Sequence, residues 1–282
     1  ALAALRRATK RRGPAKRNAT CAAFPDDRDV ATLETTDTLS SSSSSDDGSA
    51  AAPSLFFEGR AVTDLFYYPS FLPEARVSLV DDLVSADECA ALIDDARPRL
   101  RTATHARDGN LHVVSKSRDA QQATVSAARV PAASAVRDRA VRLANALSNY
   151  SLGVDGQEDL MAIQYLPGQQ YLLHCDGSCD GSPHLAGGRL ATVLLYCHTA
   201  DRGGATSFPN AHVHVRPRAG QAAYFHFRGP DPDSLTENWH TEHSGCPVDE
   251  GEKWVITLWL RDGVDAARPA HLFSPFGGPH PR

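Results

Sequence analysis

His174 and Asp176 stand two residues apart in YLLHCDGSCDGSPH (171–184). In an extended strand, residues i and i+2 point to the same face, so this imidazole and carboxylate project together while Cys175 points away. A neutral imidazole beside a carboxylate suits a first-row divalent metal. A second imidazole would complete the two-histidine, one-carboxylate face that leaves open positions on non-haem Fe(II). An HxD pair alone is a weak signal, because a polar strand end reads the same way. The segment WHTEHSGCPVDEGEKWVITLWLRDG (239–263) supplies two further imidazoles, His240 and His243, then a turn, then an apolar strand opening at Lys253. Lys253, Val255, Thr257 and Trp259 share one face of that strand. A lysine at the mouth of a core strand makes sense as a desolvated ammonium that holds a dianionic co-substrate by its far carboxylate.

Other polar clusters have plainer readings. His212 and His214 in HVHV also stand at i, i+2 and fit exposed strand positions, and His184, His198 and His226 fit ordinary surface or core residues. Cys175 and Cys179 are spaced CxxxC with no second pair, which does not support a structural zinc cluster. Cys175 reads as a packed thiol, with Cys175–Cys179 and Cys179–Cys197 bridges as alternatives. Gly203-Gly204 lacks the residues of a phosphate loop and reads as a turn.

The elements that must position these groups follow from composition and period. With 282 residues, 41% of them hydrophobic, the chain can bury one substantial core. Residues 1–53 combine a basic block, a run of six serines (Ser40–Ser45) and DDGSAAAP; such composition predicts disorder. Structure is expected from about residue 54. Arg76–Val80 alternates like a strand, and Ser85-Ala-Asp-Glu88 is a capping box opening a helix that Pro98 ends or kinks. A second helix is expected over Ala132–Leu147. From Leu160 the runs LMAIQYL, YLLHCD, RLATVLLY, ATSF, HVHV, QAAYFHF and KWVITLWL, divided by Gly and Pro, predict a β sandwich or barrel. The expected architecture is α+β: a helical N-terminal half packed on a β core (about 158–263) in one domain, 54–265, with a tail at 266–282.

The second half of the chain resembles the Fe(II)/2-oxoglutarate dioxygenases of the prolyl 4-hydroxylase alpha-subunit type. The resemblance rests on YLPGQQYLLHCD (165–176), RLATVLLY (189–196), GGATSFP (203–209), VRPRAGQAAYF (215–225) and HSGCPVDEGEKWVITLWL (243–260), with VSLVDDLVSADECAALI (77–93) matching the N-terminal strand and helix. It implies a double-stranded β-helix, or jelly roll. His174, Asp176 and His243 would ligate Fe(II), with His243 preferred because the distal histidine of the family stands just before the small residues and Cys-Pro-Val. Lys253 would bind the C5 carboxylate of 2-oxoglutarate, with Tyr165 and Thr206 as supporting donors. Tyr171, Arg189 and Trp259 match positions lining the peptide channel, although strict alternation places Tyr171 opposite His174. The implied reaction is hydroxylation of proline in a proline-rich polypeptide, consuming O2 and 2-oxoglutarate and releasing succinate and CO2, with L-ascorbate as reductant. Alternatives are the same oxidant aimed at another residue type or a small molecule, or a non-catalytic binding module. The loop Gly177–Gly188 and the approach Asp233–Thr241, with ENWHTE inserted, depart from the plant-type pattern and bear on substrate identity.

A net charge of −5 and a pI near 6.2 give no bias toward nucleic acid, although the first 24 residues carry seven Lys or Arg and no acid. No apolar run is long enough for a membrane span. The chain begins with Ala, so a leader or anchor ahead of it is compatible with the sequence. The sequons at Asn18 and Asn149, with the resemblance, point to the endoplasmic reticulum lumen or secretory pathway; a cytoplasmic location is the alternative.

Overall fold

A computed structural model describes residues Cys21, 55–68, 74–107, 110–114, 118–231 and 233–279. Apart from Cys21, the segment expected to be disordered, with its basic block, serine run and Asn18 sequon, lies outside the described residues.

The chain enters through strands β1 (Leu55–Phe57), β2 (Arg60–Tyr68) and β3 (Ala75–Val80), followed by helix α1 (Ala86–Ala96). Short strands β4 (Arg101–Thr102), β5 (Thr104–Arg107), β6 (Asn110–Val114) and β7 (Gln121–Val125) lead to helix α2 (Pro131–Ser148). The second half is β: β8 (Leu160–Tyr165), β9 (Tyr171–His174), β10 (Arg189–His198), β11 (Arg202–Gly203), β12 (Thr206–Phe208), β13 (Val213–Val215), β14 (Ala222–His226), β15 (His243–Gly245), β16 (Val248–Glu250) and β17 (Lys253–Arg261). Nine strands form one sheet in the order β1-β2-β3-β14-β10-β17-β8-β7-β4, and four form a second, β13-β12-β15-β9. Pairs β5–β6 and β11–β16 make two-stranded ribbons. Every pairing among the described strands is antiparallel, and the sheets stay open rather than closing into a barrel.

Alternation along the central strands divides the interior in two. Trp254, Ile256, Leu258 and Leu260 of β17, with Val193 and Leu195 of β10, join Leu92 of α1 and Val136, Ala140 and Leu143 of α2 in one core. Val255, Ile163, Phe225 and Tyr196 point the other way and meet Phe208, Val213 and Val215 of the small sheet in a second core. Fully burying each such Leu, Ile, Val or Phe contributes about 1.5–3 kcal/mol. Between the sheets this second core gives way, at one end, to the polar groups described below.

The helices are anchored as expected. Ser85 accepts from the Glu88 N–H, and Glu88 reaches back to the Ser85 N–H, completing the capping box. The same Glu88 carboxylate receives both outer nitrogens of Arg139 from α2, at 2.9 and 3.0 Å, and so pins the helices together. α1 ends at Ala96, and Pro98 sits in a 3-10 turn just beyond. The N-terminal half is less helical than its sequence suggested, because β1, β2, β3 and β7 extend the large sheet. Glu58 (φ 49°) and Gly59 (φ 79°) form the tight turn between β1 and β2. A bulge between Asp64 and Phe66 breaks the period of two in β2, and Asp64 is spent on Arg76 and Ser78 of β3. That hides the strand from a pattern reading.

The cysteine expectations need correction. None of the six is a free thiol: Cys175 bonds Cys179, Cys89 bonds Cys197, and Cys21 bonds Cys246. Cys175 does point away from the ligand face, but into a bridge, and Cys179–Cys197 does not form because Cys197 lies opposite α1. The Cys89–Cys197 bridge closes a separation of 108 residues, which in a chain-entropy account removes roughly 4–5 kcal/mol of freedom from the unfolded chain. Residues 266–279 pack back on the core: Pro275 accepts from the Arg189 N–H at 3.0 Å, and Ser274 from the Arg261 guanidinium at 2.8 Å. No described helix is long and apolar enough to cross a membrane.

Candidate metal centre and active site

Strands β9 and β15 pair so that His174 lies directly across from His243, their ring centroids 4.3 Å apart. Asp176 follows the end of β9 on a bend and turns its carboxylate between them, with Oδ1 3.4 Å from His174 Nε2 and Oδ2 3.9 Å from His243 Nε2. One ligand atom from each of the three falls within 4.8 Å of the others. His240 is not part of this group; its ring stacks on Phe66, centroids 5.3 Å apart. The choice between the two imidazoles left open by residue types is thus made by the β15–β9 pairing.

Hydrogen bonds set the imidazoles for metal binding. His174 Nδ1 lies 2.8 Å from the Leu172 carbonyl and His243 Nδ1 lies 3.0 Å from the Thr241 carbonyl. A carbonyl only accepts, so each Nδ1 carries the proton and each Nε2 lone pair faces the carboxylate. Burial, reinforced by the His174 imidazole, lowers the His243 pKa to about 4, so the ring is neutral at physiological pH. Burial alone would raise the Asp176 carboxyl; positive charge on the His243 and His174 rings in the acid range, with Arg189 behind, outweighs it and holds Asp176 below the usual carboxylate range. The Thr192 hydroxyl donates to Asp176 Oδ2 at 2.8 Å. Two imidazoles and one carboxylate with their non-ligating atoms already engaged are the donor set that a non-haem Fe(II) accepts.

Lys253 projects into the same pocket, an open space of about 440 Å³ that also contains Tyr165, Tyr171, Thr206, Thr257 and Trp259. The face shared by Lys253, Val255, Thr257 and Trp259 is the pocket wall, as the strand period required. Lys253 is 3% exposed, and its Nζ donates to the Gly204 carbonyl at 2.5 Å. Gly203 (φ 78°) and Gly204 (φ 70°) take consecutive left-handed conformations, and a Cβ at Gly204 would press on Lys253 Cδ at 3.3 Å. Burial lowers the Lys253 pKa to about 7, so an anionic group brought into the pocket would favour its charged form. Thr206 accepts from the Tyr196 hydroxyl at 3.0 Å, which leaves its own proton to donate. The Tyr165 ring lies 5.9 Å from Lys253 Nζ.

The residues expected at the peptide channel part company. Tyr171 stacks on His174 with centroids 3.5 Å apart, beside the metal face. An irregular register between β9 and β15 sets a step of three positions along β9 (171 to 174) against a step of two along β15 (243 to 245), and this shift reconciles Tyr171 with His174. Trp259 lines the pocket, and among the described residues its indole N–H has no hydrogen-bond partner. Arg189 instead lies behind the wall. Its fork is engaged by Glu158 at 2.7 and 2.8 Å, one nitrogen donates to the Asp176 backbone carbonyl at 3.1 Å, and the guanidinium stacks 3.9 Å from the Trp259 ring. It acts on the site by holding the metal loop and the indole.

Three contributors escaped the sequence reading. Thr192 looks like an ordinary strand residue, and Glu158 carries no motif although it also pairs with Arg261 at 2.6 Å. Arg118 precedes β7 without local signal; it stacks 4.8 Å from the Tyr171 ring, and among the described residues its Nε and Nη2 have no hydrogen-bond partner. Replacing Thr192 with Val removes the donor to Asp176 while keeping the shape. It is expected to weaken Mn(II) binding by about 10–100-fold in isothermal titration, and an unchanged affinity would remove Thr192 from the site.

Comparison with known proteins agrees with this geometry. Residues 160–261, the span from β8 to the end of β17, match the 2OG-Fe(II) oxygenase superfamily. Prolyl 4-hydroxylase 2 of Arabidopsis thaliana is 32% identical over 213 residues, covering 66% of this chain and 67% of the plant protein. The human prolyl 4-hydroxylase subunit alpha-1 is 32% identical over 207 residues, covering 70% of this chain but 36% of that subunit. Against the viral and animal relatives heading the comparison, the chain spans half of their length or less. Among solved structures, the viral collagen prolyl hydroxylase of Paramecium Bursaria Chlorella virus-1 in its 2OG complex superposes with a TM-score of 0.54 at 25% identity, covering 66% of this chain and 96% of that one. Fold, ligand geometry and sequence similarity agree: the chain belongs to the prolyl 4-hydroxylase family of the 2OG-Fe(II) oxygenase superfamily.

Proposed function

We propose that this chain hydroxylates peptidyl proline to 4-hydroxyproline with Fe(II), 2-oxoglutarate and O2, releasing succinate and CO2, with L-ascorbate as reductant. The observation that carries the reading is a buried ammonium, Lys253, opening into the same pocket as His174, Asp176 and His243. Fe(II) held by those three residues, with 2-oxoglutarate and O2, supplies the oxidising power to insert oxygen into an unactivated C–H bond. The protein provides placement and dryness. Lys253, in a pocket that Thr206 and Tyr165 also line, fits the far carboxylate of a linear diacid whose other end reaches the metal. Tyr171 and Trp259 offer flat apolar walls suited to a pyrrolidine ring, and the unpartnered donors of Trp259 and Arg118 suit the carbonyls of an extended peptide. Succinate release that rises with a proline-rich peptide, together with a one-oxygen mass gain on proline, is the expected result, and His243→Ala should abolish both. Iron-dependent succinate that no proline peptide stimulates would move the activity to another substrate.

Lys253 gives a second test. Its pKa in the folded chain, about 7, lies below the ordinary lysine value of 10.5, so the unfolded chain binds more protons in that window. Stability without co-substrate should therefore rise as pH increases from about 7 toward 10.5. Lys253→Met should flatten that rise, raise the Tm of the ligand-free protein, and erase the further Tm increase that 2-oxoglutarate gives the wild type with Mn(II). A 2-oxoglutarate response that survives the substitution would relocate the co-substrate anchor.

We place the enzyme in the endoplasmic reticulum lumen or secretory pathway. All six cysteines are paired in three bridges, a usage that persists in oxidising compartments. The Asn149 sequon is exposed at the end of α2. Alkylation of the protein isolated from cells should find no free thiol, and fully reduced cysteines would favour the cytoplasm.

A further inference from the structure

Glu237 is 0% exposed and lies six residues before the distal histidine, His243. Its carboxylate gathers three donors from the turn that follows: the His240 N–H to Oε2 at 2.6 Å, and the Thr241 N–H and hydroxyl to Oε1 at 3.1 and 2.6 Å. The nearest basic group is the His240 imidazole, whose Nδ1 is 3.3 Å from Oε2. A carboxyl group taken out of water must have its oxygens hydrogen-bonded, and here the three donors come from residues 240 and 241. The carboxylate therefore acts as a template for that turn. Trp239 within it holds φ at 67°, a conformation costing a bulky residue about 1–3 kcal/mol.

That turn touches both arms of the metal centre. On one side it presents the Thr241 carbonyl to His243 Nδ1, the bond that leaves Nε2 free for a metal. On the other, the Trp239 N–H donates to the Cys179 carbonyl at 2.7 Å, and the Glu237 carbonyl accepts from Gly181 at 3.0 Å. Cys179 is bonded in turn to Cys175, the neighbour of Asp176. The carboxylate ligand and the distal histidine come from segments about seventy residues apart, and this turn fastens one to the other.

We propose that Glu237 is a positioning residue of the metal centre, fixing the tautomer of His243 and the spacing between His243 and the Asp176 loop. The proposal rests on the reading that His174, Asp176 and His243 hold a divalent metal. The test uses the full chain with Glu237→Ala and Glu237→Gln, reading Co(II) affinity by titration and the His243 tautomer by ¹⁵N chemical shifts in the metal-free protein. Glu237→Ala should weaken Co(II) binding by about 10–100-fold and turn the single Nδ1–H form into a tautomer mixture. Glu237→Gln keeps an oxygen for the two Thr241 donors and loses the one to His240, so its loss should be smaller, about 3–10-fold. Binding within about twofold of wild type and an unchanged tautomer, even with a lowered Tm, would reduce Glu237 to a structural role and overturn the proposal. Should the Ala variant fail to fold, the Gln variant decides on the same criteria. A wild-type chain that binds no Co(II) would sink the metal reading instead, while the tautomer shift would still decide what Glu237 does to His243.

Discussion

Asp176 is a carboxylate withdrawn from water between two imidazoles, and much of the surrounding structure serves to make that position tolerable. Burial by itself opposes its charge. The Thr192 hydroxyl and the Arg189 guanidinium behind the loop, joined in the acid range by positive charge on the His243 and His174 rings, reverse that balance and keep the group ionised. A site arranged in this way is already deprotonated where a metal needs it to be, so binding requires little rearrangement. The neutral state of His243 follows from the same dryness, since the burial that strains Asp176 also keeps the imidazole uncharged.

Lys253 is the counterpart of this arrangement at the other end of the pocket. A lone ammonium facing one carbonyl is a poor way to stabilise a fold, because the desolvation of the charge is only partly offset. Its cost makes sense as stored affinity: a carboxylate entering the pocket meets a donor already fixed and already stripped of water. The rigid wall is the reason it stays fixed. β17 sits between β10 and β8 with Trp254, Ile256 and Leu258 packed under the helices, so the strand presenting Lys253 cannot relax toward solvent.

Behind the wall, Glu158 links Arg189 to Arg261. Burial would raise the Glu158 carboxyl, but the Arg189 and Arg261 guanidiniums hold it below its ordinary range. This buried pair of ion pairs carries the geometry outward. Arg189 braces the Asp176 backbone and backs the Trp259 ring, while Arg261 reaches the carbonyls of Gly187 and Ser274. The metal loop, the aromatic wall and the C-terminal segment therefore share one polar scaffold, whose parts are individually unremarkable in sequence.

Much of the site was legible in the chain itself. The i, i+2 spacing of His174 and Asp176, the alternation that puts Lys253 and Trp259 on one face, and the capping box at Ser85 are local properties, decided within a few residues by backbone period and hydrogen-bond geometry. They survive folding because nothing distant competes with them. The choice of His243 over His240 followed from family resemblance, and its physical cause is strand pairing between segments far apart in sequence. Other features were beyond local reading. The register shift that brings Tyr171 over His174, the bulge that disguises β2, the pairing of Cys197 with Cys89, and the turning inward of Arg189 onto Glu158 each depend on which segments become neighbours. Residue types and periods determined that His174 and Asp176 share a face and that Lys253 and Trp259 share another. Long-range register and the pairing of buried charges, which depend on the packing of whole sheets, decided how those ligands are held.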